Sequence, residues 1–325
     1  MTLLMVSVSS CGGGAEGADL TIYSARSEQL LGPLLERFEE ETGMSVAIKY
    51  GGSGELVGTI LEEGPKTPAD LFFAQDAGAL GAVANEGMFI GLPPELLTSV
   101  DSHYRAAGGQ WVGISGRARS IVYNTDLVDP DELPRSIMDF TDERWKGRIG
   151  WPPTNASFQS FVTALRLVEG DAAARAWLED IKANDARVYK NNSALVHAVG
   201  IGEIEVGFAN HYYLYRFLDE EGPSFPAANY FPPDGDLGSL VNVAGAGILK
   251  TSGEQAKALQ LIEYLLSEES QAYFAETTFE FPLVAGVPAD SRLPALEPLR
   301  VPGLNLGDLK GVADTLDLMR EVGMF

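Results

Sequence analysis

Val46-Ala47-Ile48-Lys49-Tyr50-Gly51-Gly52-Ser53-Gly54 is an extended run ending in a glycine-rich turn, from which an amphipathic helix continues to about Glu63. The turn lacks the Lys-Ser/Thr of a phosphate-binding loop, so it is no nucleotide motif, although its backbone N–H groups can approach a ligand. The same strand-and-helix unit recurs on either side. Upstream, Leu20-Thr21-Ile22-Tyr23 is a short strand and Ser27 to Glu41 a helix, with Leu30, Leu31, Leu34, Leu35 and Phe38 on one face and Gly43 as its cap. Downstream, Asp70 to Phe73 is a third strand and Asp76 to Glu86 a third helix. The order β-α-β-α-β-α implies a parallel sheet with right-handed crossovers, and so an α/β fold.

A chain of 325 residues is long enough for two lobes. Its formal charge of −23, from 46 acidic against 23 basic residues, argues against nucleic acid or an anionic membrane surface as the main partner. The single cysteine, Cys11, excludes a disulfide framework and a thiolate metal cluster. It follows the apolar Leu3 to Val8 and precedes Gly12-Gly13-Gly14-Ala15-Glu16-Gly17, a flexible tether. Val8-Ser9-Ser10-Cys11 resembles a bacterial lipobox, whose cysteine is lipidated after signal cleavage, although Met1-Thr2 supplies no Lys or Arg for the charged start of a signal peptide. Residues 1–18 are therefore expected to be a lipoprotein signal and tether. No later segment approaches the roughly 20 apolar residues of a transmembrane helix.

In the middle of the chain, Trp111 to Tyr123 is extended, with Arg117 and Arg119 two apart and so on one face. They lie either on a solvated strand face or along a cleft, where they hold an anion. Trp145 to Trp151 leads into Pro152-Pro153-Thr154-Asn155-Ala156-Ser157 and a helix from Phe158 to Val168. Such a turn is a plain helix cap or an anion cradle. Asp171 to Lys182 is a helix, and Tyr189 to Ser193 caps the next one, through Val199. Ile204 to Ala209 is an apolar strand; Asn210 is the expected N-cap of a helix carrying Tyr212 and Tyr213 in its first turn, above a strand end where open α/β sheets place ligands. A strand from Leu240 to Ile248, helices near Glu254 to Leu266 and Glu269 to Glu276, an extended piece at 279–283 and a helix from Leu309 to Arg320 complete the chain.

Two neighbouring phenols suit a hard, highly charged cation that displaces their protons. Ferric iron leads, because softer metals seek Cys or clustered His. Such a pair serves equally well as packing at an amphipathic helix start, so the rest of the chain must decide. His103 and His197 read as surface or packing residues, and His211 as at most a support for the pair. No Gly-x-Ser-x-Gly elbow, His-Glu-x-x-His or triad is present, and no enzyme activity is expected.

The order and spacing of several further landmarks carry a family likeness. These are Thr21-Ile22-Tyr23-Ser24, Pro68-Ala69-Asp70-Leu71-Phe72-Phe73, Trp145-Lys146-Gly147-Arg148-Ile149-Gly150 with Pro153-Thr154, Asn192-Ser193 with Gly202-Glu203-Ile204, Asn210 to Tyr213, and Phe281-Pro282-Leu283. Together they resemble the ferric-ion-binding solute-binding proteins of bacterial ABC iron importers, relatives of transferrin lobes, from Leu20 to the C-terminus. The resemblance implies a two-lobed periplasmic-binding-protein fold of type II, each lobe a mostly parallel sheet flanked by helices, with a two-strand hinge. Residues 19–117 plus 243–293 would form lobe one, and 118–242 plus 294–325 lobe two. It also implies a monomeric, extracytoplasmic protein, in the periplasm or on the outer face of the cell membrane, lipid-anchored through Cys11. That protein would capture Fe3+ with carbonate or phosphate as synergistic anion and deliver it to an ABC transporter permease.

Carried over residue by residue, the resemblance makes Tyr212 and Tyr213 the iron ligands. Asn155, Ala156, Ser157, Asn192 and Asn210 fall where the anion is held, with Arg26, Ser27 and Arg117 or Arg119 as further anion partners. The chain departs from the family elsewhere: a His ligand of some members is Ser27, a Tyr of others is Glu28, a Glu ligand is Gln75 with Asp76 beside it, and a third tyrosine is Phe158. The remaining metal positions fall to the anion, to Asp76 and its neighbour Gln75, or to Tyr23. A solute-binding protein for a small anion or a metal chelate is the alternative.

Overall fold

In the computed structural model, which describes residues 17–309 and 311–325, strands and helices alternate as the glycine-rich turn implies. The expected signal, tether and Cys11 lie outside the described residues but for 17 and 18. The first half holds β1 (Leu20–Ser24), α1 (Glu28–Thr42), β2 (Val46–Tyr50), α2 (Ser53–Glu63), β3 (Leu71–Ala74), α3 (Ala77–Asn85), α4 (Pro94–Thr98) and β4 (Val112–Asn124). There follow β5 (Ile149–Trp151), α5 (Ala156–Glu169), α6 (Asp171–Ala183), β6 (Arg187–Val188), α7 (Asn192–Gly200), β7 (Val206–Asn210), α8 (Tyr212–Glu221) and β8 (Ala227–Tyr230). The chain ends with β9 (Val241–Ile248), α9 (Gln255–Leu265), α10 (Glu268–Thr277), β10 (Phe281–Pro282) and α11 (Val312–Glu321).

Local chemistry sets most of these boundaries. Gly43 closes α1 at φ 72°, in the left-handed region that a Cβ disfavours. Asp76, Asn155 and Asn191 each accept a backbone N–H of the helix they precede. One boundary differs from the sequence reading: Asn210 is the last residue of β7, and His211 occupies the N-cap position of α8. The Asn210 side chain is engaged instead by Arg119, across the strand pair. The short α4, β6 and β8 carry no periodicity and were not expected.

The strands form one path in the order β2-β1-β3-β9-β4-β7-β5-β6, with β8 and β10 also paired to β4. Two parallel ladders, β2-β1-β3 and β7-β5-β6, lie at its ends. The antiparallel strands β9 and β4 join them. Strand β4 serves both sides: Val112 to Ala118 pairs with β9, while Arg119 to Tyr123 pairs with β7. All thirteen of its residues are buried. Its arginines therefore do not lie on a solvated face. On the second side, Trp151, Phe158, Phe161, Trp177 and Phe208 interlock with ring centroids 5.4–6.5 Å apart, which fixes α5 and α6 on β5 and β7.

Candidate metal centre

The tyrosine pair is positioned by the residue before it. The His211 backbone N–H donates to Ala118 O at 3.1 Å. Its ring touches both chain crossings: Nδ1 is 3.1 Å from the Ala118 N and Nε2 is 2.6 Å from Phe279 O. A neutral imidazole has one donor and one acceptor, so Nδ1 accepts the Ala118 N–H and Nε2–H donates to the Phe279 carbonyl. Burial holds the ring neutral, lowering its pKa to about 4. Phe279 itself sits at φ 56°, a conformation that a bulky residue keeps only when its surroundings hold it there. With α8 so anchored, the Tyr212 and Tyr213 rings stack with centroids 4.4 Å apart and planes 27° from parallel. Arg216, one turn later, lies over both rings at 5.4 and 5.8 Å. Burial and the neighbouring Tyr212 push the Tyr213 phenol above its usual range, so only a strong positive charge would release its proton.

The pair faces a cavity of about 280 Å³, whose opposite wall belongs to the first ladder and its loops: Ala25, Arg26, Ser27, Leu30, Tyr50, Gly51 and Gln75. Of the residues carried over from the family, Tyr212, Tyr213, Arg26, Ser27 and Gln75 are thus brought together. Tyr50 and Arg216 were missed. So was Glu280, fully buried, which forms an ion pair with Arg26 and accepts the Ser115 hydroxyl. Burial acts against the Arg26 charge, but Glu280 and the two phenols outweigh it and hold its pKa above the ordinary value.

Beneath the pair, Arg117 and Arg119 are 2% and 4% exposed. Arg119 donates to Phe208 O at 2.7 Å and Asn210 Oδ1 at 3.1 Å, between the rings of Phe158 and Phe161. Burial lowers its pKa to about 9. Arg117 Nε and Nη1 have no hydrogen-bond partner among the described residues; nor does Nδ2 of Asn242, which faces Arg117 across the β4–β9 pairing, nor either amide atom of Asn192 at the start of α7. Three buried guanidinium groups, those of Arg26, Arg117 and Arg119, are matched here by one buried carboxylate, Glu280. Such an excess of buried positive charge favours a bound anion.

Other expected site residues lie elsewhere. Tyr23 points away from the pair: its hydroxyl donates to Glu63 at 2.9 Å, Lys49 lies over its ring, and burial together with Glu63 pushes it up to about 12. Asp76 spends Oδ1 on the Ala79 N–H as the cap of α3. Asn155 likewise caps α5 through the Ser157 N–H and hydroxyl, which is the plain-cap alternative for that turn. Asp76 and Ala156 line a separate, more apolar cavity of about 210 Å³ with Ser53, Gln159 and Ser160. Phe158 is fully buried in the aromatic cluster, and His103 and His197 are exposed. Among the described residues, no group of three or more His, Cys, Asp or Glu side chains is placed to hold a metal ion. Phenols are therefore the distinctive hard donors of this cavity.

Residues 66–306 match the family model described as bacterial extracellular solute-binding protein. The chain is 31% identical over 319 residues to the Fe(3+)-binding periplasmic protein of Serratia marcescens, covering 96% of this chain and 93% of that one. It superposes on the iron-bound HitA structure from Pseudomonas aeruginosa with a TM-score of 0.87 at 34% identity, over 94% of this chain and 99% of that one. A Trichodesmium protein in complex with iron and citrate gives a TM-score of 0.80 at 32% identity, over 94% and 99%. The two ladders joined by antiparallel strands are accordingly the type II periplasmic-binding fold, and the family is non-enzymatic. The chain belongs to the bacterial extracellular solute-binding proteins, in the group of the ferric-ion-binding periplasmic proteins.

Proposed function

We propose that this protein captures ferric iron outside the cytoplasm on Tyr212 and Tyr213, with a synergistic anion, and delivers it to an ABC transporter permease. The observation that carries the reading is the stacked phenol pair facing a polar cavity, over buried arginines that outnumber their carboxylates. Two phenolates offset the excess positive charge of the cluster, and a trivalent ion then restores it, which invites an anion into the same site. Arg117 and the buried Asn192 amide hold unused hydrogen-bonding capacity, which supports them as partners of carbonate or phosphate. A carboxylate chelate entering with the iron is the second reading, supported by the same cationic floor and by the citrate in the Trichodesmium relative.

We infer further that the molecule is a two-lobed clamp, with residues 19–117 plus 243–293 moving against 118–242 plus 294–325. The support is β4, one half of which pairs with β9, the neighbour of the first ladder, and the other with β7 of the second, as a hinge strand would. A monomer anchored through a lipid on Cys11 fits this role.

The test is a visible spectrum of the purified protein titrated with ferric citrate in bicarbonate, beside a Tyr212→Phe/Tyr213→Phe double variant. A red to violet tyrosinate-to-iron band that vanishes in the variant is the expected result. A colourless parent that takes up no iron sinks the ferric reading in favour of anion binding.

A further inference from the structure

We propose that Tyr50 is the ligand contributed by the first-ladder wall, so that the ferric ion is held by three phenolates, those of Tyr50, Tyr212 and Tyr213. The inference rests on the ferric reading above. A ligand couples its own binding to closure only if it touches both walls, because a ligand that meets one wall alone cannot favour the closed form. Tyr212 and Tyr213 follow β7 in the second ladder. Something on the opposite wall must reach the ion.

The residues lining that wall leave one candidate. Ala25, Leu30 and Gly51 carry no side-chain donor atom. Arg26 is a cation locked to Glu280, and Ser27 and Gln75 offer only neutral oxygens. Tyr50 alone can supply an anionic oxygen, once its proton leaves. It is the last residue of β2, at the carboxyl end of the parallel ladder, where open sheets present their ligand-binding groups. Its side chain is 37% exposed, unlike the buried Tyr212, and so is not held by the core. Glu28, in the first turn of α1, and Glu36, two turns further on, lie close enough to act on it: after burial, they raise its phenol above the usual range. The same negative potential that keeps its proton in the free protein draws a trivalent cation toward its oxygen. On binding, each phenol forms one oxygen–metal bond and releases one proton to solvent, with no change in oxidation state.

The experiment compares the parent with Tyr50→Phe and Tyr50→Glu. Near-ultraviolet difference spectra with Ga3+, which is colourless, count the phenols that ionise; the expected count is three in the parent and two in Tyr50→Phe. With ferric iron, Tyr50→Phe should show a shifted and weaker visible band. It should also lose iron to a competing chelator faster by at least the 10- to 100-fold typical of a lost outer-sphere partner. Tyr50→Glu, which restores a hard anionic oxygen, should recover retention without recovering the parent's colour. A coloured parent that ionises two phenols, or a Tyr50→Phe protein with the parent's band and retention, overturns the assignment while leaving the ferric reading intact. A parent that takes up neither metal overturns both. The parent count needs no variant, so a misfolded Tyr50→Phe protein does not protect the proposal.

Discussion

Glu280 and Arg26 lie 254 residues apart in sequence and meet in the interior beside the phenols. Removing one partner of a buried ion pair leaves a charge without compensation, at about 3–5 kcal/mol. Glu280→Gln keeps the shape and one acceptor oxygen for Ser115, so a loss toward the lower end, roughly 3 kcal/mol, is expected in urea denaturation. The substitution leaves Tyr212 and Tyr213 themselves unchanged, so the ferric band should persist in this variant. Stability and iron binding are thereby separated; a band that disappears with the stability would show that Glu280 acts on the site itself. Arg119 answers a different need, since it satisfies the Phe208 carbonyl and the Asn210 amide together through a planar fork. Arg119→Lys, with a single ammonium for two diverging acceptors, should lower stability by about 1–3 kcal/mol while leaving the formal charge unchanged.

Among the elements, the junction of β7 and α8 is the most constrained, because its neutral imidazole ties the phenol helix to Ala118 and Phe279. The pKa of His211 falls from 6.5 to about 4 on folding. Between those values the unfolded chain binds the extra proton, so stability rises with pH across the window and is lost as pH drops from about 6.5 toward 4. Over the whole window the loss is roughly 3 kcal/mol. Urea midpoints of the iron-free protein from pH 7 to 4 should show this slope, and His211→Gln should flatten it; equal slopes in both would locate the acid sensitivity elsewhere. At this scale much was legible beforehand. The caps at Gly43 and, within Tyr189 to Ser193, at Asn191 announce themselves because their chemistry acts within a few residues. The Tyr212–Tyr213 pair was legible for the same reason, as two phenols at the start of a helix. Which face of a strand meets the cavity was not. Tyr23 lies on a correctly read strand, yet its hydroxyl meets Glu63, because the side it faces is decided by how α1 and α2 cross the sheet. Tyr50 and Glu280 escaped notice for the complementary reason: nothing within their own segments reveals the distant partner that gives each its role.

At the scale of the molecule, α3 approaches the segment leading into α11 closely enough that a Cβ on Gly78 would lie 2.6 Å from Leu309 O. α11 in turn packs on α5 and α6, which rest on β5 and β7 of the second ladder. The absent methyl therefore allows the two sides to meet. Gly78→Ala should disfavour the closed form by about 1–3 kcal/mol, which corresponds to a roughly 5- to 150-fold loss of iron affinity. Small-angle scattering should show a weaker iron-induced contraction than in the parent; unchanged contraction and affinity would mean that the closed form does not use this contact. The shared strand β4 has a further consequence, one that concerns biosynthesis. β3 finds its antiparallel neighbour only in β9, which begins at Val241, after the whole second ladder has been synthesised. The N-terminal third of the chain thus emerges with an unsatisfied sheet edge and cannot complete its fold in the order of translation. A nascent chain that stays open until its last third arrives remains threadable, which suits a protein whose working place lies beyond a membrane.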